Sequence, residues 1–168
     1  MIKVVRLPDA MLITVRCSAA TLDEIGERAV VDFPRVANCF NDDGSRQVLW
    51  IGPDDWLVIK EGGDEPALLA ELEKSFAGHD AAVVETSGNR VRLRIAGPGA
   101  RDLMARACSL DLDQPHFSPG RCAGTLVARA QAYVLQRDEA PTYDILVRRS
   151  LGASLEHWLL TAAEALPS

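Results

Sequence analysis

Apolar residues recur along this chain at two spacings, and the switches between them mark out elements. Residues 11–16 form a β-branched run that reads as a strand. Thr21-Leu22-Asp23-Glu24 has the form of a capping box, in which the Thr hydroxyl accepts from the N3 amide and the Glu reaches back. Leu22, Ile25 and Ala29 then fall on one helical face. Residues 41–45, Asn-Asp-Asp-Gly-Ser, are a loop by composition. Residues 47–51 and 56–59 read as short strands joined by Gly52-Pro53-Asp54-Asp55, whose Pro and Asp suit a tight turn. Asp64 and Pro66 start a second helix, with Pro at the first helical position. Its stripe is Leu68, Leu69, Leu72 and Phe76, and Gly78 ends it.

The second half follows the same order. Residues 83–85 and 89–95 predict a hairpin around Ser87-Gly88. Gly97-Pro98 opens a helix carrying Ala100, Leu103, Met104 and Ala107, and an Asp- and Pro-rich loop runs over 111–120. Strands are expected at 125–135 and 143–147. Ser150 is placed to cap a last helix that buries Leu151, Leu155, Leu159 and Ala162 and stops at Pro167. Val48-Leu49 and the following turn to Trp56 match Val134-Leu135 and the turn to Tyr143, and Met11 to Cys17 leading into a helix matches Val91 to Ala96, at offsets of about 80 to 87 residues. The pattern predicts an α+β fold: one internally duplicated domain over 1–168, with approximate halves 1–80 and 81–168. Each half is strand, helix, strand, strand, helix, with mostly antiparallel pairing.

Composition narrows the partners. The net charge is −6, which disfavours nucleic acid because phosphate binding needs a positive surface. No apolar run approaches the roughly 20 residues of a membrane helix. No signal peptide is visible at Met1-Ile2-Lys3, so the expectation is a cytoplasmic protein with reduced thiols at Cys17, Cys39, Cys108 and Cys122. Of the 18 basic residues 15 are arginine, the residue suited to bidentate carboxylate pairing and to interfaces.

Candidate chemistry is sparse. Gly97-Pro98-Gly99 stands between strand and helix but does not complete G-x-G-x-x-G, so it reads as a structural turn. Asp111, Asp113 and His116 are the densest possible metal ligands, in a loop that reads as solvated. Cys122 reads as a buried structural thiol and His157 as a half-buried helix residue. Asp42-Asp43 and Asp54-Asp55 sit in turns and are expected to stay solvated and unperturbed. Trp50, Trp56 and Trp158 are large enough to anchor an interface, although each is more often core. Arg90, Arg92 and Arg94 alternate with Val91, Leu93 and Ile95, which puts three cations on one strand face. That face is either paired with acids from neighbouring strands or a docking surface for an acidic partner. No catalytic, cofactor-binding or metal residue is assigned.

Several stretches resemble the gamma subunit of heterotetrameric sarcosine oxidase: residues 49–58 (LWIGPDDWLV), 94–103 (RIAGPGARDL), 108–112, 117–125 (FSPGRCAGT), 147–150, and Trp158-Leu159. The likeness runs from about Leu49 to the C-terminus. That family is related to the aminomethyltransferase of the glycine cleavage system, and the resemblance implies a fold of two similar, intertwined α+β halves like the aminomethyltransferase folate-binding domain. It implies an accessory subunit in an assembly that oxidises sarcosine to glycine, passes the one-carbon unit to tetrahydrofolate or releases formaldehyde, and makes hydrogen peroxide from oxygen. By resemblance, FAD, FMN, NAD and tetrahydrofolate sit on partner subunits of alpha, beta and delta type, and no family catalytic residue maps onto this chain. An exposed apolar patch left by a missing partner could drive self-association of the isolated chain. The alternatives are a free-standing folate-binding or one-carbon-transfer protein and a scaffold for another methylated-amine dehydrogenase.

Overall fold

Two alternating β-patterns, each backed by two helices, generate two sheets. The computed structural model describes residues 1–62, 66–113 and 115–166. Contacts divide the chain into two units, Asp9–Ser87 on the one hand and Met1–Pro8 with Gly88–Ser168 on the other. The first eight residues therefore go with the later part of the chain, and the division falls at Ser87 instead of residue 80.

In chain order the elements are β1 (Lys3–Arg6), β2 (Met11–Cys17), α1 (Ala19–Ile25), β3 (Phe40–Asp42), β4 (Arg46–Gly52) and β5 (Asp55–Lys60). Then come α2 (Pro66–Phe76), β6 (Ala81–Glu85), β7 (Arg90–Ala96), α3 (Ala100–Ala107), β8 (Cys122–Val127), β9 (Ala130–Asp138), β10 (Thr142–Arg148) and α4 (Arg149–Glu164). One sheet has the order β3-β4-β5-β2-β6 and the other β8-β9-β10-β7-β1. Every strand pairing between these elements is antiparallel. The fold is α+β, as the pattern predicts. The orders correspond strand for strand, except that β1, from the start of the chain, fills the edge position that β6 fills in the other sheet.

In unit Asp9–Ser87, the odd residues of β2, Met11, Ile13, Val15 and Cys17, join Leu22, Ile25, Leu68, Leu72 and Phe76 in one apolar cluster. Phe33 stands edge-on to Trp56 and Phe76, with ring centroids 5.8 and 5.9 Å away. The buried indole Nε1 of Trp56 donates to the Pro34 carbonyl at 3.0 Å, which satisfies its one polar atom. Trp56 is thus core, Trp50 is partly buried and Trp158 is exposed. In the second unit Val91, Leu93 and Ile95 of β7 pack with Ala100, Leu103, Met104 and Ala107 of α3 and with Leu155 and Leu159 of α4.

Several expectations are corrected. Ser18 caps α1, because it holds the extended dihedrals an N-cap needs and its hydroxyl accepts from the Thr21 amide at 3.1 Å. Thr21 is then a buried N3 residue. Segments 83–85 and 89–95 do not form a hairpin: β6 pairs with β2, whereas β7 pairs with β1 and β10. A 3-10 turn at Ser87–Asn89 separates them, and the Ser87 hydroxyl accepts from the Leu12 amide. The run 125–135 is two strands, broken where Ala128 and Arg129 both take positive φ, at 45° and 71°. A two-residue turn of that hand suits a hairpin, but neither residue announces it. Strand β1 lacks a predicted counterpart, and part of the expected 41–45 loop is strand β3. Asp64 and Pro167 lie outside the described residues.

The last helix begins one residue before Ser150: Arg148 is its N-cap, without a side-chain cap hydrogen bond. Its buried line is Gly152, Leu155 and Leu159, while Leu151 is 40% exposed. Glycine is required in that line, since a Cβ at Gly152 would come within 2.4 Å of the Val91 methyl. We expect Gly152→Ala to destabilise the protein by about 1–3 kcal/mol in urea unfolding, with no such loss for Ala153→Ser on the exposed side of the helix.

Candidate functional site

Face alternation on β7 is as expected, but the three arginines meet different fates. Arg94 lies directly opposite Asp144 of β10. Its Nε and Nη2 donate to the two carboxylate oxygens at 2.6 and 2.7 Å, a bidentate pair. Asp144 is 2% exposed, and the Arg137 Nε stands 3.6 Å from it on the other side. Arg92 is 5% exposed and donates to the Pro8 carbonyl at 3.1 Å, holding the segment that leaves β1. Arg90, at the start of the strand, places its guanidinium 5.4 Å over the Tyr133 ring. The strand face therefore combines an acid-paired centre with a cationic end.

That cationic end opens onto two hollows. One, of about 460 Å³, is lined by Gly88, Asn89, Arg90, Arg148, Arg149 and Ser150. The other, of about 220 Å³, is lined by Arg90 and Arg148 with Gly124, Gln131, Ala132, Tyr133 and Leu146. A third cleft, of about 450 Å³, lies in unit Asp9–Ser87 between the end of α1 and residues 29–35, with Asp43 at its side. Its Arg35 is tied to Asp23 at 2.8 Å and to the Ala19 carbonyl. Arg148 and Arg149 belong with Arg90, which the alternation on β7 could not reveal. The signal available was the Arg148-Arg149 pair itself.

The histidines differ in their surroundings. His79 faces Glu24 at 3.2 Å, whereas His116 is exposed, 3.9 Å from Asp111. His157 is exposed rather than half-buried. Among the described residues no group of three His, Cys, Asp or Glu side chains is arranged to hold a metal ion. Asp43 is not unperturbed: amides of Ser45 and Arg46 and the Ser45 hydroxyl bond its carboxylate and hold it below the usual range. Asp55 is bidentate to Arg16 across β5 and β2, at 2.7 and 2.8 Å. Gly97 and Gly99 are needed because the chain start lies against them. A Cβ at Gly97 would sit 2.5 Å from the Met1 carbonyl oxygen, and one at Gly99 would meet Ile2. Cys122 is buried, and burial pushes the Cys17 thiol up to about 11 and raises Cys108 and the Tyr143 phenol. Among the described residues no helix is long and apolar enough to cross a membrane.

Two predictions follow from this geometry. Arg94→Met leaves the buried Asp144 carboxylate with only the more distant Arg137 and should cost about 3 kcal/mol in chemical denaturation. Arg94→Met with Asp144→Leu should recover part of that loss, because the carboxylate is gone while Arg137 gives up its contact with it. For Cys17 the folded-state pKa lies above the unfolded value of about 8.5, so its contribution is intact below that value and lost as pH rises toward 11. Urea midpoints should therefore fall between about pH 9 and 11, less steeply in Cys17→Ala.

Comparison with known proteins places this geometry in context. A family model described as "Sarcosine oxidase, gamma subunit family" matches residues 18–165. The "Sarcosine oxidase subunit gamma" of Corynebacterium sp. (strain U-96) is 32% identical over 127 residues, covering 76% of this chain and 60% of that protein. The chain thus matches somewhat over half the length of such curated relatives. Among solved structures, a chain of the "Heterotetrameric Sarcosine Oxidase from Corynebacterium sp. U-96 in complex with pyrrole 2-carboxylate" superposes with a TM-score of 0.89 at 25% identity, over 98% of this chain and 84% of that one. The glycine cleavage system aminomethyltransferase T from Bartonella henselae gives 0.66 at 16% identity, over 95% and 45% of the two chains, a likeness of fold.

Proposed function

This chain belongs to the sarcosine oxidase gamma subunit family, and we propose that it acts as a non-catalytic accessory subunit of a heterotetrameric sarcosine oxidase. The observation that carries this reading is the likeness over nearly its whole length to one chain of such an oxidase, at a TM-score of 0.89. The disposition of polar groups supports it. Two carboxylates of the sheets are engaged in cross-strand pairs, Arg94–Asp144 and Arg16–Asp55, and Asp43 is held in a turn. Thiols whose pKa is raised by burial are poor nucleophiles, since the thiolate is the reactive form.

In this reading the flavins FAD and FMN, NAD and tetrahydrofolate are bound by alpha, beta and delta-type partners in the cytoplasm. The gamma chain contributes contact surface to sarcosine breakdown. The arginine face of β7 takes part in docking, through Arg90 at its open end. The two corresponding sheets are read as an internal duplication, with β1 supplying the edge of the second.

Coexpression with tagged alpha, beta and delta-type subunits tests the proposal. The chain should copurify with them in fixed stoichiometry, and the purified chain alone should neither oxidise sarcosine nor bind tetrahydrofolate in calorimetry. Full activity of an assembly that never retains this chain would refute the accessory role. Tight, stoichiometric folate binding to the isolated chain would favour a free-standing one-carbon protein instead.

A further inference from the structure

We infer that the cluster Arg90, Arg148 and Arg149 is a dock for a carboxylate-bearing segment of a partner subunit. The inference rests on the accessory-subunit reading and names the contact through which it would operate. Arg90 opens β7 and Arg148 closes β10, and the sheet register puts them directly opposite each other. Like charges in that relation destabilise a sheet unless an anion lies between or beside them. Elsewhere the chain meets this need internally. Arg94 on the same strand pair faces Asp144, and Arg16 in the other sheet faces Asp55. For Arg90 and Arg148 no carboxylate partner occurs among the described residues. The face of Arg90 is turned onto an aromatic ring, and Arg148 is exposed.

The cluster is built rather than loose. Arg149 donates from Nε to the Gly88 carbonyl at 2.8 Å and from Nη2 to the Arg90 carbonyl at 3.3 Å, which anchors it at the base of the larger hollow. The Tyr133 ring orients Arg90. All six residues lining that hollow are cationic or neutral: three arginines with Gly88, Asn89 and Ser150. The first turn of α4 starts there, adding backbone amides of favourable polarity.

Shape selects the occupant. The two hollows share Arg90 and Arg148 and so adjoin each other, the smaller one being lined also by Gly124, Gln131 and Tyr133. Two adjoining cationic hollows fit a peptide segment bearing two carboxylates, one for each hollow, better than one compact anion. The charge is also distinctive, because a chain of net charge −6 concentrates three arginines here. An acidic segment meeting them gains bidentate, charge-assisted bonds and removes the Arg90–Arg148 repulsion.

The test uses the coexpressed complex, with association of this chain measured across a sodium chloride series. Wild-type affinity should fall as salt rises. Arg90→Glu with Arg148→Glu should weaken association about tenfold or more at low salt and flatten the salt dependence, while Lys74→Glu, an exposed reversal in unit Asp9–Ser87, should do neither. Arg148→Gln, which only removes a charge, should give an intermediate loss, and it serves if the double reversal fails to fold by circular dichroism. Assembly of the Arg148→Gln and folded double variants with wild-type affinity and salt slope would overturn the dock and leave the accessory role standing. Saturable binding of inorganic phosphate lost in Arg148→Gln, with assembly unchanged, would assign the cluster to a small anion and overturn it likewise. A wild-type chain that does not associate at all would defeat the accessory reading itself.

Discussion

Asp144 is a carboxylate held almost wholly out of water in the middle of a sheet, and the second unit is organised around keeping it compensated. A buried charge without a partner costs several kcal/mol, comparable to the whole stability of a domain. Arg94 meets that requirement only when β7 and β10 pair in the observed register. Sliding by one residue would turn Asp144 toward the helices and Tyr143 away from them, undoing the ion pair and the apolar cluster at once. The corresponding pair in the other sheet, Arg16–Asp55, has the same bidentate form, but the Arg16 side chain is 70% exposed. Solvent screens such a pair, so the first sheet depends more on its aromatic and aliphatic packing.

Close backbone approach is the second constraint. Gly97, Gly99 and Gly152 each sit where another part of the chain leaves no room for a Cβ. Gly97 and Gly99 admit the chain start, which continues into β1 along the edge of β7. The space beside Gly97, which superficially suggests a phosphate loop, is thus filled by the backbone of Met1 and Ile2, and that beside Gly99 by the Ile2 side chain. Gly152 lets α4 lie against Val91 and so sets the helix over the sheet. The beginning of that helix is where Arg148 and Arg149 meet Arg90, so a packing requirement also positions the cationic end of the strand.

These constraints bear on function in one direction. Several polar groups are drawn into structure: Asp144 by pairing, Ser18 by capping, and Cys17 and Cys108 by burial that raises their pKa. What faces outward with distinctive chemistry is arginine, a side chain suited to holding a partner's carboxylates. A family of subunits within an oxidase assembly is a natural setting for such a surface.

Local periodicity by itself determined the antiparallel α+β class, the apolar faces of β2, β7, α2 and α3, and the placing of three arginines on one side of β7. The family was legible from short motifs, two of which span turns, Gly52 to Asp55 between β4 and β5 and Gly97 to Gly99 between β7 and α3. Only the tertiary structure decided which strands pair. It took β6 to β2 and brought β1 across to β7, because pairing joins residues more than 60 positions apart and leaves no local trace. It likewise separated the arginines, sending Arg94 to Asp144 and Arg92 to Pro8. It joined Arg90 to Arg148 and Arg149 because register, which is a property of two strands together, fixes which side chains stand opposite.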